Sequence, residues 1–126
     1  DTFATANTYN HMAAILRKEG KLDEAMDLFQ KSLESKRRLV GEVDSSIADT
    51  LQNIAIILKQ KDKLEESKNL LQESIDVARK SMGENHSSVA VGYRNLALVL
   101  EEQASSLDSQ RKQEKLSKAL EFYRKS

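Results

Sequence analysis

Apolar residues recur at helical spacing along most of the chain. Tyr9, Met12, Ala13 and Leu16 stand at i, i+3, i+4 and i+7, and so do Leu51, Ile54, Ala55 and Leu58; this spacing places each set on one side of an α-helix. A second stripe follows each set after a short break: Leu22, Ala25, Phe29, Leu33 and Val40, then Leu64, Leu71, Ile75, Ala78 and Met82. The first kind marks an A helix and the second a B helix. Gly20 separates A from B in the first copy, and Asp62 with Glu65 three residues on is expected to form a capping box in the second. Gly41 and Gly83 fall where a B helix must end in a left-handed residue. Asp44-Ser45-Ser46 and Asn85 to Ser88 then offer side-chain oxygens to cap the next A helix.

The copies are related by a shift of 42 positions, which carries Met12-Ala13 onto Ile54-Ala55, Leu33 onto Ile75, and Gly41-Glu42 onto Gly83-Glu84. It also carries Asn53-Ile54-Ala55 onto Asn95-Leu96-Ala97 and Leu58 onto Leu100. A third copy continues as Leu116, Ala119, Tyr123 and Ser126, reached after about ten extra residues. Self-similarity at a fixed period is the signature of stacked repeats. The expectation is an all-α, right-handed superhelical solenoid of about three helix-turn-helix units, with six or seven antiparallel helices. They form one domain over residues 1–126: repeat 1 at about 4–44, repeat 2 at about 45–86, and repeat 3 at about 87–126 with an insertion near 104–112. That insertion either lengthens the third A helix or forms a loop. The chain starts at Asp1 without an initiator methionine and stops inside a helical pattern, so it is expected to be part of a longer protein.

Composition narrows the function classes. Charged residues make up 32% of the chain and proline is absent, which favours helix nearly everywhere. Twenty Lys plus Arg balance twenty Asp plus Glu, leaving no overall field to attract nucleic acid or an anionic membrane. With no cysteine there is no thiolate metal site or disulfide frame, and the bland expectation is a cytoplasmic protein. No apolar run approaches the roughly 18 to 20 residues of a membrane span.

The residues resemble the tetratricopeptide repeat, whose pattern is an aromatic, a leucine, a small residue and a tyrosine, followed by Ala-x3-Phe. It stands here as Tyr9-x2-Met12-Ala13-x2-Leu16 with Ala25-x3-Phe29, and as Leu51-x2-Ile54-Ala55-x2-Leu58 with Ser67-x3-Leu71. The third version is Tyr93-x2-Leu96-Ala97-x2-Leu100 with Ala119-x3-Tyr123, and small residues recur at Ser32, Ser74 and Ser126. Helices pack closely only where a small side chain faces a large one, as Ala13 can face Phe29. The long period and the loops Gly41-Glu42 to Ser46-Ile47-Ala48 and Gly83 to Ala90 are similar to the kinesin light chain and nephrocystin subgroup, with serine (Ser45, Ser87) in place of its usual loop proline. The resemblance implies a protein-binding scaffold in a cytoskeleton-associated setting.

Stacked hairpins of this type line a concave groove with their A helices. The groove positions are Asn7, Asn10, His11, Ala14, Arg17 and Lys18; Asp49, Gln52, Asn53, Ile56, Lys59 and Gln60; and Val91, Arg94, Asn95, Leu98, Glu101 and Glu102. Asn53 and Asn95 share one helical position, and an amide there can donate to and accept from an extended backbone. The alternative is a solvated polar face. Ile56 and Leu98 suggest a floor for an apolar anchor, or plain core. Arg17, Lys18 and Lys59 lie toward one end of the groove and Glu101 and Glu102 toward the corresponding end of copy three, which would suit a partner with acidic residues near copies one and two; the alternative is ordinary charged helix ends. The candidate peptide site is therefore Asn10, His11, Arg17, Asn53, Ile56, Lys59, Arg94, Asn95 and Leu98. The chaperone-tail version of these repeats clamps a terminal carboxylate with two lysines, an arginine and two asparagines; the matching positions here are Asn10, Ala14, Asn53, Val91 and Asn95, which keep one of the clamp's asparagines and none of its cations, so that ligand is excluded.

No catalytic, metal or cofactor site is expected. His11 and His86 occupy different repeat positions, and the four glycines are scattered singly rather than in a phosphate loop. Lys36-Arg37-Arg38 near the end of the first B helix suits the negative helix terminus. The alternative function is structural: an uncovered stripe at Leu120, Phe122 and Tyr123 would mean either truncation of a longer array or homo-oligomers through the terminal repeat.

Overall fold

The computed structural model describes residues 2–125, which form five helices: α1 (Phe3–Lys18), α2 (Leu22–Val40), α3 (Ser45–Gln60), α4 (Leu64–Met82) and α5 (Ser87–Lys125). Helices α1 and α2 make one antiparallel hairpin and α3 and α4 a second; α2 packs on α3, and α4 on α5. This is the expected all-α solenoid, but among the described residues it has five helices rather than six or seven. Ser126, one of the recurring small positions, lies outside the described residues.

The 42-residue register is visible in the hydrogen bonds. Ser32 Oγ donates to the Ala6 carbonyl at 2.9 Å, and 42 positions later Ser74 Oγ donates to the Ala48 carbonyl at 2.8 Å. Ser67 Oγ adds a third bond, to the Ala55 carbonyl at 2.7 Å. All three serines are buried, so the hydroxyls satisfy themselves on the backbone of the facing A helix while staying small enough for close packing. Arg37 and Arg79 likewise close the ends of α2 and α4 by pairing with Glu42 at 2.9 Å and Glu84 at 3.1 Å.

The A–B turns explain both the hairpins and the missing one. Gly20 has φ 82°, and Asp62, its match, has φ 62°. The left-handed residue lets Lys21 N–H reach the Leu16 carbonyl and Lys63 N–H the Leu58 carbonyl, at 2.9 and 2.8 Å. Asp62 thus ends α3; the capping box expected from Asp62 and Glu65 does not form, because the N-cap of α4 is Lys63, with no side-chain cap bond. The third residue in this register is Ala104, for which a left-handed backbone costs about 1–2 kcal/mol and the helix is the best available state. Accordingly α5 runs through 104–112 without a turn, the first of the two alternatives for that segment.

The core lies between the hairpins, with Ala13, Phe29, Leu33, Ile47, Leu51, Ile54, Ile57, Ile75, Ala78 and Val89 buried in one cluster. The second A stripe is wholly buried, whereas Met12 of the first and Tyr93 and Leu100 of the third are exposed, since they lie at the two ends of the stack. Gly92 allows α5 to close on α4: a Cβ there would stand 2.7 Å from Ile75 Cγ1. The N-terminus of α5 is capped by a ring nitrogen, not by a side-chain oxygen as expected, with the Ser88 N–H donating to His86 Nδ1 at 3.1 Å.

Candidate functional site

The nine candidate residues lie three each on α1, α3 and α5. Ile56, Lys59 and Asn95 converge: together with Ala55, Ser67, Leu71 and Val99 they line a pocket of about 210 Å³ between α3, α4 and α5. The walls are mainly aliphatic, with Lys59 and Asn95 among the lining residues. Lys59 Nζ also lies 3.5 Å from Glu102 Oε1, so its charge is shared with the third copy. Asn53, half-buried, lies one turn before Ile56 on α3, while His11, Arg94 and Leu98 are exposed.

Asn10 and Arg17 are drawn into packing. Asn10 Nδ2 donates to Thr50 Oγ1 at 3.5 Å, bridging α1 to α3, and its Oδ1 is buried without a hydrogen-bond partner among the described residues. Arg17 Nε is similarly buried. Gln52, the match of Asn10, is also committed to packing: its Nε2 donates to the Ser88 carbonyl at 3.2 Å, tying α3 to the start of α5. What remains for a ligand is the stretch from Asn53 to Leu98, over the second and third copies.

Lys36 was not legible as a site residue. It belongs to the basic cluster expected to face the helix terminus, yet it is 3% exposed and its Nζ donates to Thr50 Oγ1 at 3.3 Å. Burial pushes the amine below the ordinary lysine range, against the attraction of Asp49 and Asp44. Asp49 is displaced in the opposite sense, because loss of water pushes its carboxyl up despite Lys36 and His86. The available signal was the register: 42 positions on, Lys36 meets Ala78, a core residue.

A larger open notch of about 630 Å³ lies between the start of α4 and the point where α5 leaves the stack, with Leu64, Glu65, Gln103 and Leu107 among its lining residues. Gln103 Nε2 donates across it to Glu65 Oε2 at 3.0 Å. Among the described residues no helix is long and apolar enough to cross a membrane.

Comparison with known proteins agrees with this architecture. The crystal structure of BtubC (BKLC) from P. vanneervenii superposes with a TM-score of 0.73 at 23% identity, over 78% of this chain and 39% of that one. The likeness is one of fold, and the chain spans well under half the length of that protein. No curated protein sequence matches. The sequence pattern of the tetratricopeptide repeat matches residues 4–80 and, overlapping, 46–108, most of the chain. With the serine-clasped hairpins and the repeated turns, this match assigns the chain to the tetratricopeptide repeat family.

Proposed function

We propose that the chain is a non-catalytic protein-interaction module that takes an extended or helical segment of a partner along its A helices, with one apolar side chain of that partner seated between α3 and α5. The observation that carries this reading is the convergence of Ile56, Lys59 and Asn95 on one small aliphatic pocket. Pockets of this kind gain affinity from a buried anchor and orientation from a few polar groups at the rim. The Asn95 amide can pair with the partner's backbone. The expected preference for acidic residues near the first copy is weakened, because Arg17 is drawn into packing and Glu102 already faces Lys59. The 42-residue period supports placing the chain in the kinesin light chain and nephrocystin-like subgroup, with a cytoplasmic, cytoskeleton-associated setting to match.

Peptide display against the chain tests this. Selected peptides should share an apolar anchor and bind at least about tenfold more weakly, a loss of about 1.4 kcal/mol, to Ile56→Glu and to the Asn53→Ala, Asn95→Ala double variant. Circular dichroism of both variants serves as the folding control. Equal binding by all three proteins would move recognition off the A helices.

A further inference from the structure

Helices α2 and α4 are the B helices of successive copies, and both pack on α3. A furrow of about 330 Å³ lies between them. Its apolar lining is Ile54 and Leu58 of α3, both buried, with the partly buried Met26 of α2 and Leu70 of α4. Gln30, Glu66 and Asn69, all exposed, complete it. At about 100° per residue, Ile54 and Leu58 point about 150° away from Ile56 and Lys59 around α3, so the furrow lies on the other side of α3 from the A-helix pocket. Two ion pairs stand on α2 to either side of Met26 and Gln30: Asp23 with Lys61, and Arg37 Nη2 with Glu73 Oε1 at 3.1 Å.

The charge along this furrow is one-sided, although the chain as a whole balances twenty cations with twenty carboxylates. Residues 22–34 and 64–73, which flank it, hold seven carboxylates and two lysines, whereas 35–40 and 74–82 hold five cations and one carboxylate. Carboxylates in a first turn suit the positive helix end, but Asp27 and Glu34 lie beyond it. Asp23, Glu65 and Glu73 are taken up by Lys61, Lys68 and Arg37. Asp27 and Glu34, within about 80° of Met26 and Gln30 around α2, and Glu66 in the lining have no ion pair among the described residues.

We propose that this furrow is a second docking surface, for a cationic segment of a partner protein. One large apolar side chain of the segment rests on Met26, Ile54, Leu58 and Leu70, and its flanking lysines or arginines face Asp27, Glu34 and Glu66. The apolar anchor supplies affinity, while the complementary charge orients the segment and speeds its arrival. The exposed amides of Gln30 and Asn69 can each donate to and accept from its backbone.

Random peptides displayed on phage and selected against the Ile56→Glu chain, in which the A-helix pocket is blocked, test the furrow alone. Enriched peptides should carry an apolar residue beside lysine or arginine, and their affinity should fall as ionic strength rises. They should bind at least about tenfold more weakly once Met26→Glu is added, and likewise with the pair Asp27→Lys, Glu66→Lys, whose positions are both exposed and carry no packing. Circular dichroism checks the fold of each variant, and the charge-reversed pair decides the matter if Met26→Glu proves unstable. No enrichment, enrichment of peptides without cations, or equal binding to the charge-reversed pair would overturn the proposal.

Discussion

Lys36 is the one buried charged side chain among the described residues. Its ammonium is buried against Thr50, with Asp44 and Asp49 nearby but at the edge of water. A buried amine held below the ordinary lysine range binds its proton less tightly when folded than when unfolded. The unfolded state therefore carries more protons between the depressed value and 10.5, and stability rises with pH across that window. Lys36→Met keeps the packing of the aliphatic stem and removes the charge. It should stabilise the fold by about 1–2 kcal/mol near pH 7, with the gap to the unsubstituted chain narrowing toward pH 10. Denaturant midpoints at the two pH values check this; a variant that is weaker at neutral pH would show that the aspartates outweigh the desolvation. At this scale the sequence was half legible. The small residues Ala13, Ser32 and Ser74 read as packing positions, but a lysine in a basic run reads as surface until the copies are laid over one another.

Helices α1 to α4 were readable because each has a strong apolar period and an identifiable stop. The third copy misleads, since its A and B stripes are both present and only the residue between them has changed. Gly20, Asp62 and Ala104 occupy one position of the repeat, and they range from the residue most tolerant of a left-handed backbone to the best helix former. Gly20→Ala should cost about 1–2 kcal/mol in thermal or chemical denaturation, since nothing but backbone strain opposes it. Ala104→Gly should loosen α5 locally by about 1 kcal/mol, seen as faster amide exchange around 104 with little change in the midpoint of the two hairpins. A large loss of global stability from Ala104→Gly would mean that the straight α5 supports the whole stack.

The whole molecule is a short one-dimensional stack in which each hairpin is stabilised by its neighbours. Helix α3 lies in the middle, packed against α2, α4 and α5, and equivalent positions therefore differ in weight along the chain. Leu51→Ala, at a fully buried site, should cost about 2–5 kcal/mol. Met12→Ala, the comparable stripe position in the exposed end hairpin, should cost about 0.5 kcal/mol or less. Similar losses for both would show that α1 is covered in solution. The solenoid followed from the repeat, but the pocket did not: its walls at Ala55, Ser67, Leu71 and Val99 come from three helices, and their meeting depends on how α5 settles on α4 over Gly92.

One consequence of the uninterrupted α5 is metric. Asn95 at the pocket and Leu116 on the outer half are 21 residues apart on a single rod, so their separation is held near 31 Å. A ligand engaging both points would need a connector of about ten extended residues. Shorter tethers would reach one point at a time, which makes α5 a ruler that sorts two-point ligands by length.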